Sequence, residues 1–119
     1  MKILIVDSNS IFVEGLKNLL NAEGVEDIDS VSGGITALDR IRISKPDVVL
    51  MDTRMKPISG FDTARLMLWE YPDEKIVMLS ESGSESELQE SKMCGASGFL
   101  RKDINAGTLL KMLNRLRAD

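Results

Sequence analysis

Histidine is absent from the 119-residue chain, and cysteine occurs once. Without an imidazole there is no histidine-based general catalysis and no histidine metal site. The lone Cys94 excludes an internal disulfide and a cysteine metal cluster. Long apolar runs are missing too. The longest, Ile3–Val6 and Val48–Met51 among them, are four residues, far short of the roughly 18 residues a membrane helix needs. Met1 and Lys2 followed by that first run are too short for a signal peptide, and the run stops at Asp7. It reads as a strand in a cytoplasmic protein with no membrane contact. There is also no basic stripe. Net charge is −4, and basic residues are scattered apart from a modest set near the end, Lys111, Arg115 and Arg117. DNA contact would therefore come from another domain.

What is present suffices for one core. Hydrophobic residues make up 43% of the chain, and its length fits a single compact domain. Short apolar runs at Lys2–Val6, Asp27–Val31, Val48–Met51, Lys75–Leu79 and Gly98–Leu100 read as strands. Three are almost wholly apolar, as strands buried on both faces should be. Helical spacing lies between them. Phe12, Leu16, Leu19 and Leu20 share one helix face, and Ala37, Leu38 and Ile41 share another. Phe61, Ala64, Met67 and Leu68 mark a third helix, and Leu109, Leu110, Leu113 and Leu116 the last. Gly24, Pro46 and Pro72 stand where helices should stop. Strand–helix order repeated five times predicts an α/β fold, a parallel sheet with helices on both faces. Ser80–Ser86 reads as a mobile loop. The following helix has Leu88 as its only strong apolar residue before Met93, so it is either weakly packed or tolerant of serine at small positions.

Ligands of open parallel sheets gather at the carboxyl ends of the strands. Asp7, Asp52, Ser80 and Lys102 close four different strands at that edge. Any one of them could be turn chemistry. Together they suit phosphoryl transfer: one carboxylate attacks phosphorus, another helps hold a divalent cation, and lysine and a hydroxyl face the phosphoryl oxygens.

The blocks Ile3–Asp7, Pro46–Asp52, Ile76–Ser80 and Gly95–Asp103 resemble, in order and over the whole chain, those of response-regulator receiver domains. The last block, with Glu14, Gly15 and Leu16 in the first helix, is similar to the NarL/LuxR group. The resemblance implies a CheY-like, flavodoxin-like (βα)5 doubly wound sheet of strand order 2-1-3-4-5, with residues 1–119 as the receiver. It implies Asp52 as phosphoacceptor, Ser80 and Lys102 as phosphoryl-sensing groups, and Phe99 as the switch aromatic. It implies magnesium on Asp7, Asp52 and the backbone carbonyl of Arg54, with Ser8 a candidate further oxygen. The implied partners are a sensor histidine kinase and a helix-turn-helix output domain absent from this chain, which would alone touch DNA. A homodimer is compatible with it. No enzyme activity is implied beyond self-catalysed phosphoryl transfer and autodephosphorylation at Asp52. On this resemblance the chain reads as the N-terminal part of a longer regulator.

Several positions depart from the family pattern. Ser8 stands where a second acid is usual, Glu81 where a small residue follows the switch hydroxyl, and Lys56 precedes a displaced Pro57. Ser59 replaces an aspartate, while Gly60 is kept. Ser8, Glu81 and Lys56 are expected to border one pocket and to weaken magnesium binding. Two readings follow: an atypical receiver with slow or absent phosphorylation, and an ordinary one with altered neighbours. A pseudo-receiver acting as a protein- or ligand-binding module is the main alternative function. A flavodoxin would need a better phosphate loop than Asp7–Ser10, and a haloacid-dehalogenase-type phosphatase an aspartate where Asn9 stands. Trp69 and Tyr71 are expected to cover the end of the third helix against the sheet. The acidic stretch Glu81–Glu90 is expected to be solvated, and Met51, Met67 and Met78 to lie in the core.

Overall fold

The computed structural model describes residues 1–118; Asp119, the end of the last helical stretch read from the sequence, lies outside them. Strands β1 (Lys2–Val6), β2 (Asp27–Val31), β3 (Val48–Asp52), β4 (Lys75–Ser80) and β5 (Gly98–Arg101) alternate with helices α1 (Ser10–Ala22), α2 (Gly34–Ser44), α3 (Gly60–Glu70), α4 (Glu85–Met93) and α5 (Ala106–Ala118). All strand pairs are parallel, in the order β2-β1-β3-β4-β5. Order reverses between β1 and β3, which places the crevice between the ends of those two strands.

Side-chain alternation along the strands builds two cores. Ile3, Ile5, Val48, Leu50, Val77, Leu79 and Leu100 pack with Leu16, Leu20, Leu109 and Leu113 of α1 and α5. Leu4, Val6, Val49, Met51, Ile76 and Met78 face the other way, onto Ala37, Ile41, Ala64 and Met67 of α2 and α3. This is why β1, β3 and β4 are apolar at successive positions, and why the edge strand β2 is not. The three core methionines are fully buried, as expected.

Helix ends follow local chemistry. Asn9 caps α1 by accepting from the Phe12 amide at 3.1 Å, and Ser59 caps α3 by accepting from the Asp62 amide at 3.1 Å. Gly24 ends the α1 turn at φ 87°, and Lys45, at φ 49°, ends α2 before Pro46. Tyr71 packs partly buried against the second core, but Trp69 is 88% exposed. The expectation that both aromatics cover the helix end therefore fails for Trp69. The α3 face that includes Ala64 and Met67 meets the core, and Trp69 lies off that face.

Candidate functional site at the carboxyl edge of the sheet

The two-residue alternation of the strands sorts the polar groups at this edge. Asp7, Asp52 and Lys102 continue the parity of Ile5, Leu50 and Leu100, towards α1 and α5. Thr53 and Ser80 continue that of Met51 and Met78, towards the opposite helices. Two polar clusters result, one on each side of a common edge.

The first cluster is ionic. Asp7 and Asp52 are 3% and 6% exposed. The Lys102 ammonium lies 2.7 Å from Asp7 Oδ2 and 3.4 Å from Asp52 Oδ1, and 4.6 Å over the centre of the Phe12 ring. Two further contacts fix the carboxylates: the Asn9 amide donates to Asp7 Oδ1 at 2.9 Å, and the Arg54 amide donates to Asp52 Oδ1 at 3.2 Å. Burial and the negative charge of Asp7 push the Asp52 carboxyl above its ordinary range, against the Arg54 amide and Lys102. Burial opposes charge on Lys102 as well, but Asp7 and Asp52 outweigh it and raise its pKa, so the ammonium stays charged. Gly60 closes the back of the site. Its amide donates to the Thr53 carbonyl at 3.0 Å, and a Cβ there would fall 1.8 Å from the Asp52 carbonyl oxygen. Only glycine permits α3 to start so close to the end of β3.

The second cluster centres on a residue that sequence reading left in solvent. Glu87 of α4 is 8% exposed. Its Oε1 accepts from the Thr53 hydroxyl at 2.7 Å and from the Ser80 hydroxyl at 2.6 Å; its Oε2 accepts from Arg54 Nε at 2.8 Å. Burial alone would raise its pKa, but these donors prevail and hold it below the ordinary carboxylate range. The expectation of a wholly solvated acidic stretch is thus wrong at Glu87. A signal was present: Ser84 and Glu87 have capping-box spacing. Ser84 does cap α4, its hydroxyl accepting from the Glu87 amide at 3.2 Å. The Ser84 amide instead donates to the Ser82 hydroxyl at 3.2 Å, and the Glu87 carboxylate turns inward. Ser91, 2% exposed, confirms that α4 packs through small side chains.

The oxygen set suits a hard divalent cation. Asp7 Oδ2 is buried and has no hydrogen bond beyond its ion pair with Lys102. A buried carboxylate oxygen without a hydrogen bond suits a site for hard cations. Two carboxylates meet here rather than three: no group of three or more acidic, histidine or cysteine side chains with metal-binding geometry occurs among the described residues.

A family model for the response regulator receiver domain matches residues 3–114. The chain belongs to the response-regulator receiver family. This receiver is 33% identical over 112 residues to the transcriptional regulatory protein DegU of Brevibacillus brevis, covering 93% of this chain and 48% of that protein. It is 35% identical over 112 residues to the transcriptional regulatory protein LnrK of Bacillus subtilis, covering 93% of this chain and 51% of that one. The receiver thus spans about half the length of the transcriptional regulators it matches. The crystal structure of the Vibrio cholerae chemotaxis protein CheY4 superposes with a TM-score of 0.87 at 31% identity, covering 97% of each chain. The CheY-like doubly wound fold and the family read from the sequence blocks are borne out.

Ser8 and Lys56 line a cleft with Thr53, Arg54, Met55, Ser59 and Phe61. Glu81, next to the end of β4, is exposed. The Lys56–Pro57 peptide is cis. Phe99 is partly buried against the second core, on the Ser80 side of β5 and paired in register with Met78. Among the described residues no helix is long and apolar enough to cross a membrane.

Proposed function

We propose that Asp52 accepts a phosphoryl group from a sensor histidine kinase, and that this charge change alters the surface formed by α4, β5 and α5. The observation that carries the reading is the buried pair Asp7 and Asp52 bridged by the Lys102 ammonium at 2.7 and 3.4 Å. Asp52 Oδ2 receives no hydrogen bond among the described contacts, whereas Oδ1 is engaged by the Arg54 amide and Lys102. In its ionised form Asp52 attacks phosphorus, and the bond to the donor breaks with its electron pair leaving on the donor atom. Lys102 supplies positive charge next to the new phosphoryl group. A divalent cation, held by Asp7, Asp52, the Arg54 carbonyl and the Ser8 hydroxyl, would supply charge neutralisation of the phosphoryl oxygens. Ser8 adds no charge to that set, so magnesium binding is weak. Output is transcriptional, by similarity to the named regulators, and DNA contact belongs to a separate helix-turn-helix domain. Phe99 and Ser80 transmit the change to the α4 side.

Intact mass after incubation with acetyl phosphate and magnesium tests the reading. A phosphate adduct is expected on the wild type and not on Asp52→Ala.

One observation favours a phosphorylation-independent module. The Ser80 hydroxyl already donates to Glu87 at 2.6 Å. Absence of an adduct on folded protein would make that reading the leading one.

A further inference from the structure

The Ser80 hydroxyl carries one proton, and the structure commits it. Ser80 Oγ donates to Glu87 Oε1 at 2.6 Å and accepts from the Gly83 amide at 2.8 Å. The side chain is fully buried, so water does not compete for it. Thr53, which follows the acceptor in the chain, is 2% exposed and donates to the same carboxylate oxygen. Arg54, the next residue, holds the other oxygen. One carboxylate on α4 therefore gathers donors from the β3 end and the β4 end. Apart from Glu87, α4 is held by buried Ser91 and by the Arg65–Glu90 ion pair at 2.9 Å, while Met93 is 77% exposed.

We propose that Glu87 is a positioning residue that opposes occupation of the Asp52 site by holding the Ser80 and Thr53 hydroxyls on the α4 side. The inference rests on the reading of Asp52 as phosphoacceptor and adds a competitor to it. A phosphoryl oxygen can receive the Ser80 proton only if the bond to Glu87 breaks, because a hydroxyl has a single hydrogen to donate. The competitor is strong, since a hydrogen bond to a buried carboxylate is charge-assisted. When Ser80 turns away, Glu87 keeps Thr53 and Arg54 but loses its link to β4. Capture of the switch hydroxyl and loss of the link between α4 and β4 are then one event.

The test uses beryllofluoride with magnesium as a phosphoryl mimic, measured by titration calorimetry on wild type, Glu87→Gln, Glu87→Ala and Asp52→Ala. Amide hydrogen exchange of the same proteins without beryllofluoride is measured alongside. Glu87→Ala should bind the mimic about tenfold more tightly than wild type, the worth of one charge-assisted hydrogen bond no longer broken. Glu87→Gln should lie between them, since a neutral amide oxygen still accepts from Ser80 and keeps the shape. Exchange should quicken at Gly83 and across α4 in Glu87→Ala. Unchanged or weaker binding in both Glu87 variants would overturn the proposal, because a merely structural role cannot raise affinity. If neither wild type nor the variants bind, with Asp52→Ala identical to them, the phosphoacceptor reading fails and the competition fails with it. Unchanged exchange would show separately that Glu87 does not hold α4.

Discussion

Serine at position 8 adds no charge beside Asp7. It is exposed beside Asp7, so an acid there would face the same cleft. Ser8→Asp should tighten magnesium binding about tenfold, near 1.4 kcal/mol for one added carboxylate–cation contact; calorimetric titration of magnesium reads it, and an unchanged affinity would show that Ser8 is not the weak point. Gly60→Ala should lower unfolding stability by about 3 kcal/mol or more, since the added carbon meets the Asp52 carbonyl rather than a flexible side chain. Denaturant melts check this. At this scale the sequence disclosed Asp7, Asp52, Ser80 and Lys102, because strand ends are legible from apolar runs and parallel order aligns them. The inward turn of Glu87 was not legible, although its spacing from Ser84 marks the helix start. Its position in the first turn of a polar helix suits an exposed acid equally well, and only the tertiary approach of Thr53, Ser80 and Arg54 turns it inward.

The elements were read nearly to the residue where burial and pattern agree. β1 and β2 match, and β3, β4 and β5 each extend one residue further, to Asp52, Ser80 and Arg101. Those extra residues are polar, so hydrophobic runs could not include them, yet backbone pairing does. The loop before β4 holds a different kind of group. Glu74 Oε1 is buried without a hydrogen-bond partner, and burial together with the nearby charge of Asp47 pushes the Glu74 carboxyl up to about 7 from an ordinary 4.5. The folded chain thus binds this proton more tightly than the unfolded chain. The stabilisation is complete below the ordinary value and is lost as pH rises through about 7. Glu74→Gln should melt about 4 °C higher than wild type at about pH 8, roughly 1 kcal/mol after allowance for partial exposure. Near the ordinary carboxylate pKa the two should coincide. Equal melting temperatures at both pH values would remove Glu74 from the pH dependence. At α3, Ser59→Ala should cost about 1 kcal/mol by loss of the cap on the Asp62 amide.

At the scale of the whole molecule, the sheet separates two jobs by side-chain parity. One side of the edge holds Asp7, Asp52 and Lys102 over α1, and the other holds Thr53, Ser80, Glu87 and Phe99 beside α4. On the proposed reading, charge added on the first side reaches the second across the ends of β3 and β4. The fold was legible because five short strands, three of them almost wholly apolar, alternate with amphipathic stretches and so admit few arrangements, and the family blocks fix the strand order. If Asp52 is a working acceptor despite Ser8 in place of an acid, intact mass spectrometry after acetyl phosphate and magnesium, with Asp52→Ala alongside, will find a phosphate adduct on the wild type alone. Folded wild-type protein without an adduct, or an adduct that persists in Asp52→Ala, would contradict that reading.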